Sequence, residues 1–165
     1  MEIRKATVDD ASRLVDLSRR LDCETSFMMF EPGERKITIE KQEERLRSIR
    51  ESKNQAMFVA EIGRAIIGFV IGSGGSANRN RHSLYIVIGV LETYWGRGIG
   101  KHLMHALESW AMENNFHRLE LTVMSHNERA IALYTKCGFE REGLKRDSLL
   151  VNGKYVNEFY MSKLI

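Results

Sequence analysis

The sequence of 165 residues contains one proline and two cysteines, and it lacks any long run of apolar residues. A membrane-spanning helix needs roughly 18 or more consecutive apolar residues, and no stretch approaches that length. The first ten residues also lack the apolar segment of a signal peptide. Cys23 and Cys137 are too few for a disulfide framework or, alone, for a four-ligand zinc site. These absences predict a cytoplasmic protein that does not bind membranes.

The composition is that of a folded domain rather than of a disordered chain. Hydrophobic residues make up 43% of the sequence and charged residues 28%, which is enough apolar content to build a core. The length fits a single domain over residues 1–165. The excess of 25 basic over 22 acidic residues gives a net charge of +3, which is far below that of a dedicated nucleic-acid binder. The five histidines are scattered, and we expect no metal site.

Hydrophobic periodicity and the placement of glycines predict an α/β fold with a mixed central sheet flanked by helices. The predicted order is strand, helix, helix, three strands, helix, strand, helix and at least two strands. The predicted elements are a strand at Ile3–Ala6, a helix from Asp9–Asp10 to about Leu21, a surface helix over Arg35–Ser52, strands at Met57–Glu61 and Ala65–Ile71, a connection at Gly72–Ser83, a strand at Leu84–Leu91, a helix from Ile99 to Asn114–Asn115, a strand at Arg118–Met124, a helix ending at Gly138 and a hairpin turning at Asn152–Gly153. We expect the apolar strand Leu84–Leu91 to be buried on both faces.

The stretch Cys23–Gly33 breaks the helical periodicity and carries several large apolar side chains. One interpretation is a loop that folds onto the core. The other is an aromatic flap over a substrate, in which Phe30 and Glu31 would contact that substrate. Both interpretations place the stretch outside the regular helices.

A glycine-rich turn, Gly96-Arg97-Gly98-Ile99-Gly100-Lys101, joins a predicted strand to a predicted helix. This arrangement suits an anion, because the first N–H groups of a helix lack intrahelical partners and glycines let a phosphate approach the backbone. A P-loop is excluded, because Trp95 stands at its first glycine and His102 at its hydroxyl residue. A dinucleotide-binding fingerprint is excluded, because Lys101 stands at its third glycine.

Two motifs, in this order, resemble those of the GCN5-related N-acetyltransferases. The segment Trp95–Gly100 resembles the pyrophosphate loop of that family, Gln/Arg-x-x-Gly-x-Gly/Ala. The segment Asn127–Phe139 resembles its second motif, Asn-x-x-Ala-x-x-Leu-Tyr-x-Lys-x-Gly-Phe. Ile88-Gly89-Val90 resembles the strand end that pairs with the pantetheine arm. The likeness covers residues 56–145, and the Trp-Gly pair and the C-terminal stretch look most like the ribosomal-protein N-terminal acetyltransferase branch.

The resemblance implies the acyl-CoA N-acyltransferase fold and acetyl-CoA as the cofactor. Trp95 departs from the family pattern, which has Gln or Arg there, so backbone N–H groups would contribute most of the pyrophosphate binding. Asn127 would bind the pantetheine arm, cap the helix that follows, or do both. The residues implied in cofactor binding are Ile88, Gly89, Val90, Trp95, Gly96, Arg97, Gly98, Ile99, Gly100, Lys101, Asn127, Ala130, Tyr134 and Lys136.

The implied reaction is direct attack of a primary amine on the thioester of acetyl-CoA. The backbone N–H of Val90 would stabilise the charge that develops on the carbonyl oxygen. Tyr134 would protonate the leaving thiolate, although its place on an amphipathic helix also fits a core aromatic residue. Glu120 would act as the base, through water, or would simply pair with a neighbouring arginine. Glu31 and His126 are weaker candidates for the base.

The leading hypothesis is therefore an acetyl-CoA-dependent N-acetyltransferase whose acceptor is a protein or peptide N-terminus or a small amine. Glu24 and Glu31 would suit a cationic acceptor. The alternative is a non-catalytic acyl-CoA-binding regulatory module. The absence of a glutamate at Thr122, where related N-terminal acetyltransferases have one, favours the alternative, and the presence of Tyr134 disfavours it. Family members often dimerise through their C-terminal strands, so a homodimer is one assembly that the resemblance allows.

Overall fold

Seven strands form one mixed sheet, with four helices packed against it. The computed structural model describes residues 1–165. The strands are β1 (Glu2–Lys5), β2 (Gln55–Ile62), β3 (Ala65–Gly74), β4 (Ser83–Val90), β5 (Arg118–Met124), β6 (Glu140–Val151) and β7 (Lys154–Leu164), and the helices are α1 (Ala11–Glu24), α2 (Ile39–Glu51), α3 (Ile99–Glu113) and α4 (Glu128–Lys136). Their order in the sheet is β1-β2-β3-β4-β5-β7-β6, and only β4 and β5 pair in parallel. The predicted fold class and the predicted order of elements are confirmed.

The helices lie on opposite faces of the sheet. Leu84 of β4 and Leu107 of α3 both pack over Gly72 of β3, which places α3 on one face. Leu21 of α1 packs over Gly89 of β4, which places α1 on the opposite face. Helix α2 contacts α1 and β2. None of the helices combines the length and apolar character that crossing a bilayer requires.

Turn-forming residues end several elements where the sequence predicts. Helix α3 ends before Asn114–Asn115, and Asn115 adopts the left-handed conformation with φ 61°. Helix α4 ends just before Gly138, which has φ 88°. In the β6–β7 hairpin, Asn152 and Gly153 both have positive φ angles, of 50° and 75°, as the common two-residue hairpin turn requires.

Three predicted boundaries differ from the structure, at the end of α1, the start of α2 and the end of β3. Helix α1 continues through Cys23 and Glu24, where the Glu24 carboxylate accepts a hydrogen bond from the backbone N–H of Glu92. Helix α2 begins at Ile39 rather than at Arg35, because Thr38 caps it by accepting the N–H of Lys41. Strand β3 extends to Gly74, so the predicted connection begins later than Gly72.

The prediction that Leu84–Leu91 is buried on both faces is wrong. Leu84 and Ile86 are buried, but Tyr85 and Val87 are about 41% and 40% exposed. The face of β4 that carries Leu84 packs against α3. On the other face α1 covers Gly89 but leaves Tyr85 and Val87 open to solvent. This face of the sheet, which we call the open face, is therefore exposed to solvent at Tyr85 and Val87.

Candidate functional site

Strands β4 and β5 separate partway along their length and leave an opening in the sheet. Their parallel pairing joins Ser83 to Arg118, Leu84 to Leu119 and Tyr85 to Glu120, and it stops there. Residues 86–90 of β4 and 121–124 of β5 diverge beyond that point. We call this opening the wedge. Backbone groups of β4 that would otherwise bond β5 therefore remain available along the wedge.

The backbone of Val90 points into the wedge. The N–H of Leu91 donates to the carbonyl of Ile67 at 3.0 Å, and Val90 lies opposite Gly68. In an antiparallel ladder this makes Val90 and Gly68 a non-hydrogen-bonded pair, so the N–H and C=O of Val90 face away from β3. The carbonyl accepts a 2.7 Å hydrogen bond from the indole N–H of Trp95. The N–H of Val90 is left facing the wedge.

The glycine loop lies at the end of β4, beside the wedge, and leads directly into α3. Gly96 and Gly98 both have φ 77°, and Gly98 is the N-cap residue of α3. No atom lies within 4 Å of the place where a side chain on Gly96 would begin, so the backbone is open to a ligand there. The first N–H groups of α3 have no intrahelical acceptors and carry the positive end of the helix dipole.

Helix α4 packs closely beside the start of α3. A Cβ on Gly100 would lie 2.8 Å from the end of the Leu133 side chain, so the two helices are in close contact at Gly100. The side chain of Asn127 accepts the N–H of Ala130 at 3.2 Å and caps α4. This capping role is one of the two roles predicted for Asn127. The two predicted motifs therefore meet at adjoining helix N-termini.

Tyr134 of α4 is buried, and its ring packs 6.0 Å from that of Phe139. Burial raises the pKa of its phenol, and the Tyr85 phenol and the Cys137 thiol contribute to the increase. The Tyr134 hydroxyl is not one of the fully buried polar groups that lack a hydrogen-bond partner. Tyr134 therefore has both the character of a core aromatic residue and a phenol that stays protonated at neutral pH.

Glu120 pairs with an arginine, as one of its two predicted interpretations holds. Its carboxylate accepts a 2.8 Å hydrogen bond from Nε of Arg118, which also binds Glu142. Glu120 lies opposite Tyr85, at the point where β4 and β5 begin to separate. Catalysis by Glu120 stays a prediction, since the ion pair does not remove the carboxylate from the edge of the wedge.

The predicted phosphate-binding cations lie around the glycine loop and the neighbouring helices. The guanidinium of Arg97 lies 5.2 Å above the ring of Tyr94. Lys101 and Lys136 are exposed and line one cleft of about 280 Å³, together with Lys163. The cleft is therefore positively charged except for Glu108, which pairs with Lys163.

The loop between α1 and α2, residues 25–38, crosses toward the end of β5. Met28 packs against the core, and the ring of Phe27 lies 5.2 Å from that of His126. The guanidinium of Arg35 covers Phe30 at 4.5 Å, and Glu31 is exposed. The loop therefore combines features of both predicted interpretations, and acceptor binding by Phe30 and Glu31 stays a prediction.

The sequence did not indicate a polar group on the open face of the sheet that is formed by Tyr85, Thr122 and Glu158. The hydroxyls of Tyr85 and Thr122 are 2.9 Å apart, and Glu158 is only 5% exposed. Tyr85 lies in the segment Leu84–Leu91, which was predicted to be buried on both faces. The available signal for Glu158 was a lone acidic residue within the otherwise largely apolar run Tyr155–Met161.

Comparison with known proteins places this geometry in a family. The model of the acetyltransferase (GNAT) family matches residues 20–139. The L-amino acid N-acetyltransferase AaaT of Escherichia coli K12 is 32% identical over 110 residues, and N-alpha-acetyltransferase RimI of Mycobacterium tuberculosis is 41% identical over 66 residues. These matches cover 64% and 40% of this chain but only 66% and 40% of the relatives' own lengths.

The structural likeness extends over nearly the whole chain. The crystal structure of an acetyltransferase of the GNAT family from Streptococcus pneumoniae is 32% identical, covers 99% of both chains and has a TM-score of 0.96. More distant proteins of the same fold, 18% and 20% identical, were solved with acetyl-CoA. The family match spans most of the sequence and includes both the wedge and the glycine loop. This chain belongs to the acetyltransferase (GNAT) family.

Proposed function

We propose that this protein transfers the acetyl group of acetyl-CoA to a primary amine, by direct attack of the amine on the thioester. The observation that carries the proposal is the Val90 N–H, which faces an open wedge directly beside the glycine loop. An acyl donor whose pyrophosphate binds the loop can extend its reactive end along the wedge.

The residues present fit acetyl-CoA. Open space at Gly96 and the free N–H groups of α3 suit a pyrophosphate. Trp95 would support this site through Val90 rather than by binding phosphate with its side chain. Acetyltransferases of this family use acetyl-CoA. The binding residues we propose are Ile88, Gly89, Val90, Trp95, Gly96, Arg97, Gly98, Ile99, Gly100, Lys101, Asn127, Ala130, Tyr134 and Lys136.

Acetyl-CoA supplies an acetyl group activated as a thioester. During transfer a C–N bond forms, the C–S bond breaks, and the sulfur gains a proton while the amine loses one. The Val90 N–H is suited to stabilise the developing charge on the carbonyl oxygen. Tyr134 is suited to supply the proton to sulfur, because burial keeps its phenol neutral.

The attacking amine must first lose a proton, since an alkylammonium has a pKa of about 10. Glu120 lies at the start of the wedge and is our candidate for the base, acting through water. The Glu120 side chain is paired with Arg118 and is still 38% exposed, so water can reach it. The competing possibility is that solvent water accepts the proton without Glu120. The Glu120→Gln variant should lower kcat if Glu120 is the base and leave kcat unchanged if it is not.

The acceptor we propose carries an α-amine, as a free amino acid or at a peptide N-terminus. The two relatives named above act on L-amino acids and on N-alpha groups by their names. Phe30 and Glu31 are proposed to contact the acceptor, because they lie in the loop that crosses toward β5. Glu24 is less suited than predicted, since it binds Arg20 and the backbone of Glu92.

The first experiment is a thermal melt with and without acetyl-CoA, with ATP and NAD as controls. A ligand at 100 times its Kd adds about 2.7 kcal/mol to the free energy of unfolding, which is roughly 5–10 °C at this size. A shift with acetyl-CoA alone supports the proposal, and no shift would contradict it. Release of the thiol on addition of amines then separates an enzyme from a non-catalytic acyl-CoA-binding module.

We further propose a cytoplasmic location, because both cysteines are free.

A further inference from the structure

A cleft that the proposed chemistry has not used lies between the loop of residues 25–38 and the β6–β7 hairpin. Its volume is about 490 Å³, which is within the range of small-molecule sites. The residues that line it are Ser26, His126, Val151, Asn152, Lys154 and Val156. None of them is acidic, so the lining combines one lysine and several hydrogen-bonding groups with two valines.

The cleft lies on the open face of the sheet. The Thr122 hydroxyl, which meets that of Tyr85 on this face, belongs to a residue that stands opposite Tyr160 of β7. Directly opposed residues share a face of a sheet, and side chains alternate along a strand. Lys154 and Val156 are therefore on the open face as well.

His126 places the cleft beside the end of the wedge. Strands β4 and β5 run parallel from their last pair, and Val90 and Ser125 stand equally far along their strands from that pair. The N–H of Ser125 donates to the carbonyl of Asn157 at 2.8 Å and so joins the end of β5 to β7. A small acceptor in the cleft can therefore extend its amine toward an acyl group held at the Val90 N–H.

Both walls of the cleft are held in place by contacts within the protein. On the loop side, Phe27 donates its N–H to Thr25 Oγ1 at 3.1 Å, and its ring lies 5.2 Å from that of His126. On the hairpin side, Val151 and Lys154 stand opposite each other across the two-residue turn. Walls that are ordered before binding reduce the entropy cost of binding a small ligand.

The ammonium group of Lys154 has no carboxylate partner in the protein. By contrast, Lys145 of β6 pairs with Glu158 of β7 on the same face. The Asn152 amide and the His126 ring add N–H donors to the lining of the cleft. A cation among neutral donors suits a carboxylate, and the two valines suit an apolar part of the same ligand.

We propose that this cleft binds the carboxylate of a free amino acid, through Lys154, Asn152 and His126, while the α-amine of that amino acid reaches the wedge. A peptide N-terminus has an amide in place of this carboxylate, so it would leave the Lys154 charge without a partner. This inference rests on the proposed acetyl transfer and narrows its acceptor from any α-amine to a free amino acid.

The acceptor class is tested by comparing L-leucine with L-leucinamide, which differ only at the carboxylate. The amine of the amide is less basic, so a larger share of it is unprotonated at pH 8 and the chemistry alone favours the amide. We nevertheless expect kcat/KM to be about 10–100-fold higher for L-leucine, because a hydrogen-bonded charge contributes that much to binding. An equal or higher value for L-leucinamide would overturn the inference and leave the proposed acetyl transfer standing.

The role of Lys154 is tested with Lys154→Met, which removes the charge and keeps an unbranched side chain. This variant should lower kcat/KM for L-leucine about tenfold and leave that for L-leucinamide within about twofold. Lys5→Met is the matched control, since Lys5 is also exposed but lies on β1, at the opposite edge of the sheet. Equal effects of the two variants, or equal losses for the two acceptors, would contradict carboxylate binding by Lys154.

Binding is measured apart from catalysis in the presence of CoA, which has no acetyl group to transfer. L-Leucine should shift the backbone amide NMR signals of the residues that line the cleft, and its Kd should be at least about fivefold higher for Lys154→Met. Signals that stay in place would overturn the inference. Binding of L-leucine in the cleft without turnover in the presence of acetyl-CoA would support the carboxylate site and count against the proposed function.

Discussion

The indole N–H of Trp95 donates a 2.7 Å hydrogen bond to the backbone carbonyl of Val90. The residue that opens the glycine loop is thus attached to the end of β4. This bond occupies the Val90 carbonyl, so the N–H is the backbone group of Val90 that remains free in the wedge. The guanidinium of Arg129 lies over the face of the indole, 4.7 Å from its centre. The side chain that departs from the family pattern therefore has a structural role.

Replacing Trp95 with phenylalanine should weaken the binding of acetyl-CoA. The ring remains, but the bond to Val90 is lost, and such a bond contributes about 1 kcal/mol. We expect Kd for acetyl-CoA to rise about fivefold, measured by isothermal titration calorimetry. Trp110→Phe is the control, since Trp110 packs on Phe116 at the far end of α3. Equal affinity in Trp95→Phe and the unmodified protein would show that the bond to Val90 is dispensable.

Local sequence features determine much of this fold. Asn115, Gly138 and the pair Asn152–Gly153 have positive φ angles, and each stands at a boundary that was predicted from residue type alone. Such turns depend on a few neighbouring residues, so the sequence indicates them directly. The glycine loop and its helix were predictable for the same reason.

Contacts between distant parts of the chain account for what the sequence did not indicate. Strand β7 inserts between β5 and β6, and this order places Glu158 opposite Met124 of β5. No local pattern reports which strands become neighbours. Tyr85 is exposed because α1 ends its cover at Gly89, which again depends on packing rather than on the apolar character of the strand.

A side chain at Gly96 should impair ligand binding more than folding. Gly96→Ala meets no neighbouring atom, but it places a Cβ where a phosphate would approach and strains a backbone with φ 77°. Gly63→Ala is a matched control, because Gly63 has φ 62° and equally open surroundings in the β2–β3 turn. Both variants should lose about 1–2 kcal/mol of stability. Only Gly96→Ala should raise Kd for acetyl-CoA about tenfold or more, and similar affinities in both would argue against pyrophosphate binding at the loop.

Tyr134→Phe should lower kcat about 100-fold while changing Kd for acetyl-CoA little, because it removes only the proposed acid. Burial raises the pKa of this phenol above its ordinary value of 10. The proton donor should therefore remain available, and kcat should show no loss from phenol ionisation up to about pH 10. Steady-state rates from pH 6 to 10 test this. A variant with full kcat would indicate that Tyr134 is only a core aromatic residue.

Asp10 should make the stability of the fold sensitive to acid. Burial raises its pKa, but hydrogen bonds from Arg4 and the Thr7 N–H, with the charges of Arg4 and Arg13, outweigh that effect and lower the pKa to about 2. Since the folded-state pKa lies below the unfolded one of 3.8, the contribution is complete above about pH 4 and is lost as pH falls toward 2. Asp10→Asn should cost about 1–2 kcal/mol at pH 7. The difference in Tm between the two proteins should shrink below pH 4, and a constant difference down to pH 2 would contradict this.

The loop of residues 25–38 is held to α1 by a buried ion pair, which provides a test of its role in acceptor binding. Arg35 binds both carboxylate oxygens of Asp22, at 2.7 and 2.9 Å, and Asp22 is 2% exposed. Arg35→Met leaves a buried charge without a partner, which should cost about 3–5 kcal/mol of stability. The double variant Asp22→Asn, Arg35→Met removes that charge as well and should regain part of the loss.

The double variant separates folding from function, because its loop is no longer held while its core has no unpaired charge. We expect it to show a higher KM for the acceptor and an unchanged Kd for acetyl-CoA, since the glycine loop lies outside this contact. Arg20→Met is the control, because Arg20 forms an exposed pair with Glu24 on the same helix, and such pairs contribute at most about 1 kcal/mol. If the double variant bound the acceptor normally, the loop would be a structural cover and Phe30 and Glu31 would have no part in recognising the amine.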